Sequence, residues 1–205
     1  MKETKNKKSH IGKLDSLKIE VIKKCEKMPM NLLAKIVLAG DGGVGKTTLV
    51  HRFMTNNFID STKMTIGVAF HTYQISYEDY QILLQIWDLG GQEQFKNMGI
   101  FDKYFNGATV SVIMFDLTRL KTLESIPEWA DIAVNGSKSR LILVGGKKDL
   151  PNAVSLDKSD LDDLFETYDF IDYVETSSAT GEGVQRVFTR IAEVVVKINK
   201  EKGKI

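Results

Sequence analysis

The chain has 205 residues, of which 42% are apolar and 27% charged, with one cysteine and a formal net charge of +1, and this length suits one domain with a full core plus an appendage. The lone Cys25 excludes an intrachain disulfide framework. No apolar run approaches the roughly 20 residues that a membrane-spanning helix needs, and the first residues lack the apolar segment of a secretory signal. We therefore expect a soluble, cytoplasmic protein. Beyond residue 27 the chain carries 19 basic and 23 acidic residues, and this mildly acidic balance argues against a nucleic-acid partner.

Positive charge is concentrated in the first segment, where residues 1–27 hold nine lysines and four acidic residues. Within residues 10–28, apolar side chains recur at three- or four-residue steps: Ile11, Leu14, Leu17, Val21, Cys25 and Met28. This spacing predicts a basic amphipathic helix in an extension that covers residues 1–31. Such a helix could pack on the domain, pair with another protein or make peripheral contact with an anionic membrane, and disorder is the remaining alternative.

From Leu32 onward, apolar runs alternate with helical patterns. Strands are predicted at residues 33–39, 68–77, 80–87, 110–115, 140–144 and 171–176. Helices are predicted at residues 46–54, around Leu123, Ile126 and Ala130, at 156–168 and at 184–199. The helix at 156–168 opens on Asp157 and is acidic in its first turns, as the helix dipole favours. The alternation predicts an α/β domain over residues 32–200, followed by a tail at 201–205. We expect a mostly parallel six-stranded sheet with one antiparallel hairpin strand and helices on both faces.

A phosphate-loop motif follows the first strand and opens a helix. Gly40-Asp-Gly-Gly-Val-Gly-Lys-Thr47 fits G-x-x-x-x-G-K-[ST]. Its glycines allow positive φ, so successive backbone N–H groups can wrap a phosphate at the positive end of the helix dipole. Lys46 would neutralise the β- and γ-phosphates, and the Thr47 hydroxyl would bind Mg²⁺. The predicted phosphate-binding residues are Asp41, Gly42, Gly43, Val44, Gly45, Lys46, Thr47 and Thr48.

A second motif, Trp87-Asp-Leu-Gly-Gly-Gln-Glu93, ends the hairpin. Asp88 stands where a strand's carboxyl end faces the phosphate loop, which suits an indirect contact with Mg²⁺. Gly91 could offer its backbone N–H to a γ-phosphate. Gln92 can both donate and accept hydrogen bonds, so it can orient a water for in-line attack. The alternative interpretation is a strand that ends in a Gly-Gly turn with an exposed amide.

Together these motifs resemble the Ras superfamily of small GTPases, from about residue 33 to residue 199. The segments Thr65–Phe70, Leu84–Asp88 and Tyr104–Ala108 are Rab-like, and the DLGGQE form is similar to that of Arf-type proteins and of a Rab-like branch that acts in septation and mitotic exit. The segment Phe115–Arg119 also resembles that branch. The resemblance implies a P-loop NTPase small G domain that binds GDP and GTP with Mg²⁺ and slowly hydrolyses GTP as a molecular switch.

The resemblance also implies roles for two loop residues. Thr65 would lie in the first switch loop, with its hydroxyl on Mg²⁺ and its N–H on the γ-phosphate, so that Gln92, Lys46 and Thr65 form the expected catalytic set. Phe58 would pack its ring against the guanine. The alternatives are a loop threonine before a strand and ordinary packing under the loop.

The base-binding segments depart from the family pattern. Family members usually carry Asn-Lys-x-Asp after the fifth strand, and this chain has Gly146-Lys-Lys-Asp149. Asp149 can accept two N–H bonds from guanine and Lys147 can lie along the base, but Gly146 has no amide for the guanine N7 or for tethering the phosphate loop. Losing neutral hydrogen bonds at about 1 kcal/mol each, against about 1.5–3 kcal/mol for those to a charged group, predicts weaker binding with guanine preference retained.

The last base loop, Glu175-Thr-Ser-Ser-Ala-Thr-Gly181, resembles the family's E-T-S-A-K segment. Ser177 and the Ser178 backbone N–H match it, and the N–H would reach the guanine carbonyl oxygen. Ser178 and Ala179 replace the family's Ala and Lys, so one contact over the base is in doubt. A helix-preceding loop of small polar residues is the alternative interpretation.

Regulation is expected to follow the family, through effectors, exchange factors and GTPase-activating proteins. Arg52 falls in a helix and Arg119 follows a strand, so we expect no arginine of the chain near the phosphates and a slow unaided reaction. The segment between Gln92 and Gly107 is about two residues longer than in Rab proteins, so the second switch helix should differ. The chain's end, EKGKI, has no cysteine for prenylation, and position 2 is not glycine, so we expect no lipid anchor.

Two other functions stay open. Gly146 and Ala179 allow a nucleotide-bound pseudo-GTPase scaffold that does not switch. An ATP-directed P-loop phosphotransferase is disfavoured because Lys147 and Asp149 occur where guanine is recognised. Phe70, Trp87 and Tyr104 match positions of a Rab effector patch, and core packing explains them equally well.

Overall fold

The computed structural model describes residues 30–60, 64–92, 101–154 and 156–205. Its elements in chain order are β1 (Met30–Ala39), α1 (Lys46–Thr55), β2 (Val68–Tyr77), β3 (Tyr80–Leu89), α2 (Phe101–Phe105), β4 (Val110–Asp116), α3 (Leu120–Glu124), α4 (Ile126–Gly136), β5 (Arg140–Gly146), α5 (Lys158–Tyr168), β6 (Phe170–Glu175) and α6 (Val184–Glu201). The predicted amphipathic helix at residues 10–28 and most of the second switch segment lie outside the described residues.

The sheet has six strands in the order β2-β3-β1-β4-β5-β6. The β2 and β3 strands pair antiparallel as a hairpin, and every other neighbouring pair is parallel. The predicted α/β fold class is confirmed. Because parallel strands end at the same edge of a sheet, the loops after β1, β3, β4, β5 and β6 converge at one edge.

Helices cover both faces of the sheet, each over its own apolar layer. Helices α1 and α6 pack on one face, and α2, α4 and α5 pack on the other. Along α6, Val187, Ile191 and Val195 are fully buried, and their four-residue spacing forms the stripe that the sequence predicts. The β4 strand is buried along its whole length, so the centre of the sheet rigidly positions the loops at its edge.

The bounds of the helices and strands differ from prediction where the pattern of apolar and polar side chains does not indicate where an element begins or ends. The β1 strand begins at Met30, three residues early, because it pairs with β3 from Met30 opposite Tyr80 although its first residues are exposed. The single helix predicted before β5 is two helices, and α4 starts afresh with a proline in its first turn. Asp157 caps α5 with a reciprocal capping box, as its position predicts.

None of the helices among the described residues is long and apolar enough to cross a membrane.

Candidate functional site

A cavity of about 780 Å³ opens at the edge of the sheet where the parallel strands end. Its lining contains most of the residues that the sequence predicts for the site: Gly42, Gly43, Val44, Gly45, Lys46, Thr47, Thr48, Phe58, Thr65, Gly91, Gln92, Lys147, Asp149 and Ser178. Asp41 and Ser177 belong to the same loops and Asp88 to the end of β3, but these three residues do not line the cavity. Part of the cavity wall is apolar, which the motifs do not predict. The apolar side chains in the wall are Ile59, Met64, Leu89, Met114 and Leu150.

The loop between β1 and α1 takes a conformation that only glycine tolerates easily. Gly40, Gly43 and Gly45 have φ values of 138°, 73° and 104°. A Cβ at Gly40 would lie 2.1 Å from the Met114 carbonyl oxygen, so a side chain there would push the loop off β4. The buried Lys46 ammonium donates to the carbonyls of Gly40 at 2.6 Å and Asp41 at 2.9 Å. The loop therefore closes around a cation, with its N–H groups at the mouth of α1.

The Asp41 side chain fixes this loop from outside the cavity. One carboxylate oxygen accepts a hydrogen bond of 2.9 Å from the Trp129 indole, and the other accepts one of 2.8 Å from the Ser125 hydroxyl. Trp129 is fully buried in α4. The Asp41 carboxylate anchors the loop to α4. Only the main chain of Asp41 is therefore available to the cavity.

Three oxygen-bearing side chains meet beside the loop. The Thr47 hydroxyl donates to Asp88 Oδ2 at 2.5 Å and lies 2.8 Å from the Thr65 hydroxyl oxygen. Asp88 is fully buried, and its Oδ1 has no hydrogen-bond partner among the described residues. Burial raises the pKa of Asp88, although the Thr47 hydrogen bond and the Lys46 charge oppose the rise. Hydroxyl and carboxylate oxygens are what Mg²⁺ prefers, so these residues fit that ion.

The double glycine after β3 is required by close backbone packing. A Cβ at Gly90 would lie 2.6 Å from the Thr65 carbonyl oxygen, and one at Gly91 would lie 2.1 Å from the Gly40 carbonyl oxygen. This pair is therefore wedged between the loop that carries Thr65 and the phosphate loop. The packing brings Gln92 to the cavity wall.

The loops after β5 and β6 form the other end of the cavity and are bonded to each other. The Lys148 N–H donates to the Thr176 carbonyl at 3.0 Å. Ser177 is fully buried, and its hydroxyl accepts the Thr180 N–H at 3.0 Å, so this side chain shapes the loop. Arg52 of α1 donates to the Thr180 carbonyl at 3.0 Å and ties the loop to the phosphate-loop helix.

Gly146 leaves a space that Met114 enters. A Cβ at Gly146 would lie 2.5 Å from the terminal methyl of Met114 and 3.0 Å from the Val44 carbonyl oxygen. Its φ is not positive, so the backbone would accept a side chain. The sequence does not predict this role of Met114, because the apolar pattern of a buried strand does not show which neighbouring residue its side chain packs against.

Asp116, at the end of β4, collects donors from two loops. It is fully buried and accepts hydrogen bonds from the Thr118 N–H at 2.9 Å and hydroxyl at 2.7 Å and from Arg119 Nε at 2.9 Å, with Lys147 Nζ at 2.7 Å. Burial by itself would raise the pKa of Asp116, but the hydrogen bonds from Lys147, Thr118 and Arg119 hold it below its ordinary value. The carboxylate therefore stays charged.

Arg119 follows β4, and its side chain reaches the phosphate loop, which its place after a strand does not indicate. That no arginine of the chain lies near the phosphates stays a prediction. Arg119 Nη2 donates to the Gly42 carbonyl at 3.1 Å. The chain turns tightly after β4, with the Arg119 N–H on the Asp116 carbonyl, and this turn directs the side chain back over the loop. Arg119 does not line the cavity. Its position after a strand is predicted from the sequence, whereas the turn that brings its side chain to Gly42 is not.

An aromatic row joins β2, β3 and α2. Phe70 is 62% exposed, and its ring meets the Trp87 ring edge-on with the ring centroids 4.5 Å apart. The centroid of the Tyr104 ring lies 6.1 Å from that of Trp87. Lys35 places its ammonium 3.7 Å above the Trp87 ring. The rings of this row therefore differ in exposure, because Phe70 faces solvent while Trp87 is half-buried.

Comparison with known proteins agrees with this geometry. Residues 35–197 match the sequence model of the Ras family. Ras-related protein Rab-19 of Xenopus laevis is 33% identical over 173 residues, which cover 83% of this chain and 80% of that protein. Ras-related protein RABA1c of Arabidopsis thaliana is 36% identical over 169 residues, 82% and 76% of the two chains. Ras-related protein Rab-36 of Homo sapiens is 38% identical over 164 residues, which are 78% of this chain but only 61% of Rab-36.

Proposed function

This chain belongs to the Ras family and is a Rab-like small GTPase, and on that premise we propose that it holds GDP or GTP with Mg²⁺ in the cavity at the sheet edge and slowly hydrolyses GTP. One observation supports the proposal most strongly: a single cavity has the phosphate loop at one end and Lys147, Asp149 and Ser178 at the other. A nucleoside phosphate needs these two chemistries in one continuous site.

The phosphates belong at the amino-terminal end of α1. Backbone N–H groups of Asp41 to Thr48 and the helix dipole favour negative charge there. Lys46, which now bridges two carbonyls of the loop, supplies the balancing cation. The Thr47 and Thr65 hydroxyls would hold Mg²⁺ directly and Asp88 indirectly. Bound there, Mg²⁺ would supply positive charge that stabilises the phosphate oxygens.

Guanine recognition is assigned to the opposite end. The Asp149 carboxylate is exposed in the cavity wall and accepts two N–H bonds from the guanine edge, which adenine cannot offer. Lys147 lies along the base, Phe58 packs a ring against it, and the Ser178 N–H meets its carbonyl oxygen. Ser177 acts by shaping the loop.

Hydrolysis is assigned to a water oriented by Gln92. That water attacks the γ-phosphorus as the bond to the β-phosphate oxygen breaks, which yields GDP and phosphate. Arg119 is engaged by Asp116 and Gly42, so the proposed unaided rate is about 10⁻⁴–10⁻³ s⁻¹, and an activating protein supplies an arginine. Loss of the γ-phosphate would release the loops of Thr65 and Gln92, which Gly90 and Gly91 pack together.

The catalytic assignment is tested by single-turnover hydrolysis. Gln92→Leu should slow hydrolysis about tenfold or more while GDP affinity stays the same, because only water positioning is lost. Gln85→Leu, an identical change at an exposed position of β3, is the matched control and should leave the rate unchanged. A wild-type rate no faster than that of Gln92→Leu would remove Gln92 from this role.

A non-switching scaffold is the second candidate, and Gly146 and Ala179 favour it because both lack family contacts to the base. Hydrogen exchange distinguishes the two functions. A switch should protect the segments around Thr65 and Gln92 more with a non-hydrolysable GTP analogue than with GDP. Equal protection together with equal affinity would support the scaffold.

Partners and location are proposed on the same premise. The exposed Phe70, with Trp87 and Tyr104 behind it, is proposed to contact effectors, and exchange factors and activating proteins would act on the cavity. We propose a cytoplasmic protein in which residues 32–200 form the G domain and 201–205 a tail. The extension that precedes β1 would bind a partner or the domain, with peripheral membrane contact as its alternative role.

A further inference from the structure

The phosphate loop and the base-binding loop need a mechanical link, because a nucleotide is held only while both keep their spacing. The side chain expected to provide that link is missing at Gly146. Its nearest phosphate-loop neighbour is the Val44 carbonyl, 3.0 Å from where a Cβ would stand. What fills the intervening space is a methyl group of Met114, which forms no hydrogen bond.

We propose that Arg119, acting through Asp116, links the phosphate loop to the base-binding loop and slows nucleotide release. The link is a chain of three side chains. Arg119 donates hydrogen bonds to the Gly42 carbonyl and to the Asp116 carboxylate, and Lys147 of the base-binding loop forms an ion pair with the same carboxylate. The inference rests on the proposed nucleotide site. Arg119 is a positioning residue, since it does not line the cavity.

The geometry of Arg119 suits this task. Its Nε donates to Asp116 Oδ2 at 2.9 Å while Nη2 donates to the Gly42 carbonyl at 3.1 Å. A planar guanidinium presents these donors in a fixed fork, so moving one partner moves the other. Gly42 belongs to the stretch of N–H groups that would wrap the phosphates.

The Lys147 end of the chain is equally constrained. Lys147 has a φ of 65°, a left-handed conformation that a non-glycine side chain rarely adopts. Its ammonium lies 2.7 Å from Asp116 Oδ2, the same oxygen that receives Arg119. Because Asp116 is fully buried, its charge must be compensated by these donors. The pair therefore holds the base loop in its strained turn.

The test is the rate at which fluorescent GDP dissociates. Arg119→Ala should release it about three- to tenfold faster, as loss of a partly exposed charge-assisted contact predicts, and Arg119→Lys should lie between that variant and wild type. Arg140→Ala is the matched control, because Arg140 is 47% exposed against 44% for Arg119 and pairs with Asp169 at the same 2.9 Å. Its dissociation rate should equal the wild-type rate.

A coupling measurement separates linkage from general loosening. Gly146→Asn places an amide near the Val44 carbonyl and creates a second link, so Arg119→Ala made in that background should accelerate release less than about twofold. Single-turnover hydrolysis of bound GTP should stay within about twofold in Arg119→Ala and Arg140→Ala, since the γ-phosphate site is untouched.

Three results would overturn the inference. Arg119→Ala could release GDP no faster than Arg140→Ala, or it could accelerate release equally in both backgrounds at position 146. It could also slow hydrolysis without changing release, which would place Arg119 at the γ-phosphate. Each leaves the proposed function intact, whereas a wild-type protein that retains no GDP would refute the proposed function and this inference together.

Discussion

At the scale of single residues, position 146 decides how tightly the base is held. We predict that Gly146→Asn tightens GDP binding about fivefold, the worth of one neutral hydrogen bond. The new side chain would displace the Met114 methyl group, which is the far end of a flexible side chain and can adopt another rotamer.

Calorimetric titration with GDP measures the change in affinity. A glycine-to-asparagine change at Gly107 is not a suitable control, because Gly107 has positive φ and a side chain there would strain the backbone. Arg140→Ala serves instead, with affinity equal to wild type. Unchanged or weaker GDP binding by Gly146→Asn would mean that the base loop does not need the missing amide.

Single residues also mark the limit of what the sequence predicts about the site. The phosphate loop is one continuous motif, so Lys46, Thr47 and their glycines could be assigned from spacing alone. Arg119, Met114 and the anchoring role of Asp41 depend on how separate elements pack. No local pattern encodes the turn that directs Arg119 to Gly42 or the gap that Met114 fills.

At the scale of elements, α6 holds the face of the sheet beneath the phosphate loop. Val187 is fully buried against this face, whereas Val134 on α4 is 52% exposed. We predict that Val187→Ala lowers the free energy of unfolding by about 2 kcal/mol, from lost burial plus the cavity left behind.

The identical substitution Val134→Ala is the control and should change the free energy by less than about 0.5 kcal/mol. Urea unfolding measures both. Equal effects of the two substitutions would show that α6 does not pack on the sheet as described.

Elements with a strong apolar pattern were the ones that the sequence predicted well. The β1, β4 and β5 strands are predicted because buried strands read as apolar runs, and β2 and β3 because they are rich in aromatic and β-branched residues. Helix α6 is predicted from its one continuous apolar stripe. The early start of β1 was missed because its first residues are exposed and are held by main-chain pairing with β3. The break between α3 and α4 was missed because one apolar face continues across Ser125.

At the scale of the whole molecule, the parallel sheet is what makes one site from distant segments. Strands β1, β4 and β5 end side by side, which places Gly40, Asp116 and Gly146 at one edge although Gly40 and Gly146 are more than 100 residues apart in sequence. Sequence order predicted this convergence, because the crossover topology of alternating strands and helices leaves few other arrangements.

The central claim is that this edge selects a guanine nucleotide, and titration of the nucleotide-free protein with GDP and with ADP in the presence of Mg²⁺ tests it most directly. We predict that GDP binds at least about a hundredfold more tightly than ADP, because ADP leaves the Asp149 carboxylate unpaired, and that Asp149→Ala narrows the ratio. Equal affinity for GDP and ADP, or no binding of either, would contradict the account.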